Sequence, residues 1–361
     1  MNAMVSHGVL IVDLTDGGTN FEMAKTLGAM WKTTESFFDK VETENAAAGL
    51  PGMTTVMETG SQHAKVGYAA YDNESTRFLE TRTERQSRNL LPLEASQVLG
   101  DDGAKAIQSS FDVVASIGQD VVRITTAASN MEHGAFSADA GLSERDRAIK
   151  SSQAATLMAR EVVDDGKPLP TTAKIEHSEG TVSMSPHRLC SYKEGQEGAE
   201  SPAREVFGAH VDASFVTIVP VAAISGLEVY DEEAEQWYRP ELKARKQWEE
   251  ETAQKGGDPT ALTEIVDGVE IPWHARYILV LPGEYMQVAT RDEVSAAIHR
   301  VVAAKGRPPR LSSPILLRPR PGTKFLVDRY LGGSVGNALL EECDGMTMED
   351  IFSALQPTSF Q

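Results

Sequence analysis

The residues best suited to chemistry lie in the segment 209–214, which reads Ala-His-Val-Asp-Ala-Ser. Short apolar runs flank it on both sides, a pattern that predicts β-structure bounded by turns. Side chains two residues apart on a strand point to the same face, so His210 and Asp212 would direct an imidazole and a carboxylate to one point. The pair therefore supplies two candidate ligands for a metal ion.

A third candidate ligand, His299, lies in another short apolar run, residues 297–302. Two histidines and one carboxylate on one face of an octahedron are the ligands of non-haem Fe(II) oxygenases. Arg310 and Ser312 follow, again two residues apart. An arginine fork pairs with a carboxylate through two hydrogen bonds, and a neighbouring hydroxyl adds a donor. The sequence therefore predicts a metal triad and, nearby, a site for a carboxylate-bearing co-substrate.

The order of these motifs is more specific than any one of them, since a lone His-x-Asp or Arg-x-Ser arises by chance. His-x-Asp comes first, then Gly-Leu-Glu-Val-Tyr at 226–230, then Trp237, then His-Arg-Val at 299–301, and then Arg-x-Ser. In this order the chain resembles the isopenicillin N synthase-like family of Fe(II)/2-oxoglutarate-dependent oxygenases. The resemblance is closest over residues 187–320.

The resemblance implies a mainly β fold with flanking α-helices. Its core would be a double-stranded β-helix (a jelly roll, cupin-like) with N-terminal helices and a C-terminal helix. We expect an N-terminal helical and strand region at 1–165, the Fe(II)/2-oxoglutarate jelly-roll core at 187–320 and a helical tail at 321–361, together one compact catalytic unit. The stretch between His-x-Asp and the second histidine is longer than is usual in the family, which indicates an insert at 239–270.

The resemblance also assigns roles to individual residues. His210, Asp212 and His299 would be the metal ligands and catalytic residues, and Arg310, Ser312 and Tyr192 would bind the far carboxylate of 2-oxoglutarate. Cys190 stands where the family usually has Asn, which puts that part of the co-substrate contact in question. The candidate residues for substrate contact are Val211, Ser214, Phe215, Leu227, Arg82 and Tyr71.

The implied cofactors are Fe(II), 2-oxoglutarate as co-substrate and O2, with ascorbate as the assay reductant. The implied reaction oxidises an unactivated C–H bond of a small specialised metabolite and releases succinate and CO2. Hydroxylation, desaturation and oxidative cyclisation, for instance of an amino-acid-derived compound, all remain open. Such an activity would belong to biosynthesis in secondary metabolism.

Three alternatives remain open at this stage. A zinc hydrolase would use the same ligand types but would leave Arg310 and Ser312 without a purpose. An isopenicillin N synthase-type oxidase would not use 2-oxoglutarate. A non-catalytic jelly roll would bind a small molecule without turning it over.

The amino-acid composition limits the classes of molecule that the protein is expected to bind. Of 361 residues, 53 are acidic and 34 are Lys or Arg, giving a net charge of −19. Nucleic acids and anionic membranes require cationic surfaces, so we expect neither as a partner. Two cysteines form no disulfide framework and no Cys-x-x-Cys motif, and the apolar run near the N-terminus is too short for a signal core. We expect a cytoplasmic monomer that binds a small-molecule substrate.

Periodicity places the remaining elements. A first strand is expected at 8–14, and helices are expected after residue 21, within 103–129, at 144–163 from a capping box at Ser143, and from Thr347 onward. Short strands are expected through the core, including one at 286–289. Mixed charges at i, i+4 spacing predict a helix in the insert, which would be either a solvated decoration or a lid over the cavity.

Overall fold

Short strands dominate the chain between residues 187 and 317. The computed structural model describes residues 4, 7–15, 17–43, 76–91, 93–137, 141–193, 204–303 and 306–355. The strands of these residues, in chain order, are β1 (Leu10–Asp13), β2 (Thr76–Thr83), β3 (Leu90–Leu91), β4 (His187–Tyr192), β5 (Arg204–His210), β6 (Val216–Pro220), β7 (Leu227–Asp231), β8 (Gln236–Tyr238), β9 (Thr263–Val266), β10 (Val269–Pro272), β11 (Tyr277–Pro282), β12 (His299–Ala303), β13 (Arg310–Ser312) and β14 (Ile315–Leu317).

Most helices precede or follow this β-rich region. In chain order they are α1 (Glu22–Thr43), α2 (Leu93–Glu132), α3 (Glu144–Glu161), α4 (Pro240–Gln254), α5 (Glu284–Ala289), α6 (Val327–Leu331), α7 (Ala338–Cys343) and α8 (Met348–Leu355). A 3-10 turn, Trp273–Arg276, leads into β11. Within the described ranges, no helix has both the length and the apolar composition needed to cross a membrane.

The strands form two principal sheets. The larger sheet has the order β1-β11-β6-β14-β4-β2-β3, with β13 also paired to β4, and the smaller has the order β5-β12-β7-β8. From β4 onward the chain alternates between them: β4 large, β5 small, β6 large, β7 and β8 small, β11 large, β12 small, β13 and β14 large. All these pairings are antiparallel. This alternation is the double-stranded β-helix, which confirms the predicted fold class.

The N-terminal helices cover the large sheet. Helix α1 buries Leu27 and Trp31, and α2 buries Phe111 and Val114, in one apolar core with residues of β6 and β14. Helix α2 approaches these strands closely at Gly118. A methyl group at this position would lie 2.4 Å from Leu317 Cδ1 and 2.6 Å from Ile218 Cδ1.

Two predicted elements differ from the structure. Residues 286–289 are not a strand but lie in α5, because Pro282 ends β11 and the apolar side chains that follow are buried at helical spacing. The helix predicted at 103–129 runs from 93 to 132 with a kink at Gly100, where φ is 73°. The helices at 144–161 and from 348 are present, and the side chains of Ser143 and Thr347 cap them.

The insert contains the expected helix and also a β-hairpin. Helix α4 buries Ala244 and Trp248 against the body of the protein, while mixed charges occupy its other face. Strands β9 and β10, which were not predicted, pair with each other after the helix. One face of α4 is therefore packed in the fold, whereas Leu262 and Ile265 of the insert are exposed.

Replacing Gly118 with Val should destabilise the fold by about 1–3 kcal/mol, since the added methyl groups would push α2 away from β6 and β14. Chemical denaturation monitored by circular dichroism measures the change. Ser116→Val places the same side chain on the exposed face of α2 and serves as the control. Equal effects of the two substitutions would contradict close packing at Gly118.

Candidate metal centre

The antiparallel pairing of β5 and β12 brings the two candidate histidines together. His299 lies directly opposite His210 in the register, and their ring centroids are 4.3 Å apart. Asp212 follows two residues after β5 ends. Each of the three residues offers one ligand atom, and these atoms lie within 4.8 Å of one another. The structure thus joins His299 to a pair of side chains that is 87 residues or more away in sequence.

The spacing of the ligand atoms is close to that of a coordinated metal. The distance from His210 Nε2 to Asp212 Oδ1 is 3.6 Å, and that from His299 Nε2 to Asp212 Oδ2 is 3.5 Å. Ligands at about 2.1 Å from a metal and at right angles to each other are roughly 3.0 Å apart. Small rotations of these side chains would therefore bring all three atoms onto one ion.

In each imidazole, a hydrogen bond from Nδ1 fixes the orientation of the ring. His210 Nδ1 lies 2.8 Å from the carbonyl oxygen of Gly208, and His299 Nδ1 lies 3.0 Å from that of Ala297. A carbonyl oxygen only accepts, so Nδ1 carries the proton and donates in each case. Nε2 keeps its lone pair directed at the centre, as metal-binding histidines require.

The carboxylate is held in its charged form. Thr217 Oγ1 donates a hydrogen bond of 2.6 Å to Asp212 Oδ2. Burial alone would raise the pKa of Asp212, but His299, His210 and Thr217 together hold it well below its usual range. Burial lowers the pKa of His299, whereas in His210 the bond to Asp212 outweighs burial and raises it. Asp212 is thus an ionised ligand.

The predicted co-substrate residues line the same cavity as the triad. Because β13 pairs with β4, Arg310 lies opposite Tyr192 and Ser312 lies opposite Cys190. The Arg310 guanidinium lies 5.6 Å from the centre of the Tyr192 ring. All four residues, with the triad, surround a cavity of about 60 Å³. The arrangement gives one chamber with metal ligands on one wall and an arginine on another.

Glu241, in the first turn of the inserted helix α4, is a site residue that the sequence did not reveal. Its Oε1 accepts a 2.7 Å hydrogen bond from Arg310 Nη2, and both side chains are almost fully buried, at 1% and 2% exposure. Its Oε2 accepts the backbone N–H groups of Gly226 and Leu227, at 2.7 and 3.1 Å. The insert thus reaches the back of the cavity and holds Arg310 in place.

Arg310 retains donors for a ligand. Its Nε and Nη1 are buried without a hydrogen-bond partner in the described part of the chain. Burial would lower the pKa of Arg310, but Glu241 raises it, so the side chain stays charged. Buried donors without acceptors are costly, and a carboxylate supplies two acceptors in one plane. These residues therefore fit the far carboxylate of an oxo-acid.

The candidate substrate residues differ in their position relative to the cavity. Leu227 lines the cavity beside His299. Phe215 is fully buried and packs on Tyr285. Three others do not line it either: Ser214 is buried beside Thr217, Val211 is half-buried, and Arg82 bonds to Glu80. Tyr71 lies outside the described residues. Substrate contact by any of them remains a prediction.

No protein-family model matches the sequence, and no curated protein matches it. One similar solved structure is a Caulobacter crescentus protein assigned to the 2OG-Fe(II) oxygenase family, with 15% identity, coverage of 98% of this chain and 90% of that chain, and a TM-score of 0.48. Neurospora crassa T7H in complex with alpha-KG has 14% identity, 88% and 76% coverage and a TM-score of 0.45. Arabidopsis thaliana dioxygenase for auxin oxidation 1, in a binary complex with 2-oxoglutarate, has 12% identity, 88% and 85% coverage and a TM-score of 0.45. At these identities and TM-scores, the similarities assign no activity to this chain.

Thr217→Val should weaken metal binding about 10- to 100-fold, because it removes the hydrogen bond that orients Asp212 while keeping the side-chain shape. Titration with Co(II), followed by visible absorption, gives the dissociation constant without any need for turnover. Thr217→Ser keeps the hydroxyl and should bind like the wild type. Equal affinities for all three proteins would show that Thr217 does not support the ligand.

Proposed function

We propose that this protein is an Fe(II)- and 2-oxoglutarate-dependent oxygenase that oxidises an unactivated C–H bond of a small molecule. The observation that carries this proposal is the shared cavity. Two histidines and a carboxylate point into it together, and the same cavity is lined by Arg310, two of whose buried nitrogens have no acceptor among the described residues. A metal site alone would be compatible with many reactions, whereas the added carboxylate site is expected for an oxo-acid co-substrate.

In this proposal, one group of residues binds the metal and another binds the co-substrate. His210, Asp212 and His299 would hold the iron, and Arg310, Ser312 and Tyr192 would bind the far carboxylate of 2-oxoglutarate. Bound iron supplies the activation of O2 that couples decarboxylation of the oxo-acid to oxidation of the substrate. The protein's part is to fix the ligands, orient the two organic molecules and exclude water.

Exclusion of water follows from the lining of the cavity. Its walls include Phe78, Val219, Leu227, Val301 and Leu316, which lie between the charged groups. An apolar lining lowers the local dielectric constant and strengthens the hold of Arg310 on a carboxylate. It also protects reactive species from side reactions with solvent.

The prime substrate in this proposal is a small specialised metabolite, and the products include succinate and CO2. Hydroxylation, desaturation and oxidative cyclisation, for instance of an amino-acid-derived compound, share the same removal of hydrogen from carbon. The position of the substrate in the cavity would decide between them. Such an enzyme would act in a biosynthetic pathway.

The bond between Glu241 and Arg310 favours a second candidate, an isopenicillin N synthase-type oxidase that does not use 2-oxoglutarate. Glu241 already neutralises the charge of Arg310, which reduces the electrostatic attraction for an oxo-acid with two carboxylates. In this alternative, Arg310 would bind a carboxylate of the substrate itself. Requirement for 2-oxoglutarate separates the two functions.

The purified protein should release succinate from 2-oxoglutarate in the presence of Fe(II), O2 and ascorbate, and Asp212→Ala should abolish this release because it removes one metal ligand. Asp258→Ala, in an exposed loop, should retain the wild-type rate. Substrate oxidation without 2-oxoglutarate would support the second candidate. Tight metal binding without any turnover would identify a non-catalytic jelly roll.

Arg310→Lys should mainly raise the apparent KM for 2-oxoglutarate, by about 10-fold or more, because an ammonium group lacks the planar fork that pairs with a carboxylate. Steady-state succinate release at varied 2-oxoglutarate measures KM and kcat separately. Arg300→Lys, on β12, changes an arginine paired with Glu228 outside the cavity and is the matched control. Unchanged kinetics in Arg310→Lys would remove that residue from the co-substrate site.

A further inference from the structure

A second group of basic side chains lies on the large sheet, away from Arg310. Arg82 on β2 and Arg188 on β4 both bond to Glu80, and Arg318 follows directly after β14. The strands β14, β4 and β2 are neighbours in the sheet. Three arginines thus lie near Glu80, and positive charge remains in excess even when Asp212, whose charge also acts on Arg188 and Arg318, is counted.

Strand geometry places this group on the cavity side of the sheet. Arg188 is on the same face as Cys190 and Tyr192, since side chains alternate along a strand, and all three line the cavity. Arg318 lies one residue past the end of β14 and is not one of the lining residues, but its charge interacts with those of Arg188 and Asp212, which do line the cavity. Four residues separate Arg188 from Tyr192, the neighbour of Arg310, or about 13 Å along the strand. The two basic groups therefore lie at opposite ends of one wall.

Glu80 is engaged by two arginines and makes no hydrogen bond to Arg318 within the described ranges. Its Oε1 accepts from Arg82 Nη2 at 2.8 Å, and its Oε2 accepts from Arg188 Nε at 2.8 Å. Burial would raise the pKa of Glu80, but Arg188 and Arg82 lower it to about 2. The carboxylate is fully ionised and engaged by two partners.

Arg318 is the arginine without a counter-ion. It forms no ion pair within the described ranges, and its Nε is buried without a hydrogen-bond partner there. Burial, followed by the charges of Arg82 and Arg188, lowers its pKa to about 10. A guanidinium that has a buried, unpaired Nε and is repelled by two others is costly unless an anion joins the group.

The terminal nitrogens of Arg188 are also available. Its Nε is the atom bonded to Glu80, and its side chain is 28% exposed, so the two Nη groups can meet a ligand in the cavity. Arg188 lines this cavity together with His210 and Asp212. An anion bound here would lie beside the metal centre.

We propose that Arg188 and Arg318 bind a carboxylate group of the prime substrate, so that the enzyme acts on an acidic small molecule whose C–H bond is presented to the metal centre. This inference rests on the proposed function for the chemical step, but not for the binding itself. The cavity would then have two carboxylate sites: Arg310 for the co-substrate and Arg188 with Arg318 for the substrate.

Binding to the metal-free, full-length protein tests the proposal without turnover. The probes are N-acetyl amino acids and their carboxamides, which share one carbon skeleton and differ in the acid group, and equilibrium dialysis gives each dissociation constant. At least one acid should bind 10-fold more tightly than its amide. Arg318→Gln should abolish this preference, whereas Arg310→Gln should preserve it. Absence of any acid preference, or a preference that survives Arg318→Gln, would overturn the proposal.

Control variants separate binding from folding. Arg188→Gln should also reduce the acid preference, but it removes an ion pair with Glu80, so its thermal unfolding midpoint must be compared with that of the wild type. Arg318→Gln removes no ion pair within the described ranges and is therefore the decisive variant. Arg123→Gln, on the exposed surface of α2, should leave acid binding unchanged, and an equal loss in this variant would contradict a specific site.

The result of this binding experiment can be distinguished from the result of the succinate-release experiment that tests the proposed function. A protein that binds the acids through Arg318 but releases no succinate would retain the acidic-ligand site and lose the oxygenase assignment. A protein that releases succinate and binds amides as tightly as acids would keep the oxygenase assignment and lose the acidic-substrate proposal.

Discussion

The antiparallel register between β5 and β12 is the constraint on which the candidate centre depends. It places His299 directly opposite His210, and the turn after β5 then brings Asp212 within reach of both. A slip of one residue would turn His299 to the other face of the small sheet and remove it from the cavity. On its other side β12 pairs with β7, where His299 lies opposite Val229. Pairing on both edges of β12 fixes this register, so the metal site is a consequence of how the small sheet assembles.

The cavity removes many charges from water, and the structure compensates them unequally. Asp212 is balanced by two imidazoles and the Thr217 hydroxyl, and Glu241 balances Arg310. Removing one member of such a buried pair costs more than the pair contributes, because the remaining charge stays desolvated. Arg310 and Arg318 are exceptions in part, since two buried nitrogens of Arg310 and one of Arg318 have no acceptor in the described residues. Unsatisfied buried donors in a cavity indicate where a ligand completes the structure.

Sequence reasoning succeeded where the signal was local. Arg310 and Ser312 are two residues apart on β13 and share a face as strand alternation predicts. His210 and Asp212 also converge, but Asp212 lies beyond the end of β5 and is placed by the turn that follows. Turn residues between short apolar runs predicted a series of short strands, and the jelly roll itself was implied by the family resemblance. The prediction of a strand at 286–289 was wrong because a short apolar run is equally compatible with a buried helix. Glu241 could not be predicted, since nothing near it in sequence indicates that it would meet an arginine from β13.

The two ends of the cavity wall differ in how fully their arginines are neutralised, and this difference makes the two ends distinct binding environments. At one end Glu241 reduces the Arg310 site to a nearly neutral pair with hydrogen-bond donors to spare, so recognition there depends on the geometry of the fork more than on net charge. At the other end Arg188 and Arg318 exceed the charge of Glu80, so attraction for an anion is stronger and less demanding in geometry. Two carboxylate-bearing molecules that enter one chamber must be kept from exchanging places. In the proposed enzyme, unequal compensation of the arginines would achieve this: one end would select by shape, and the other would select by charge.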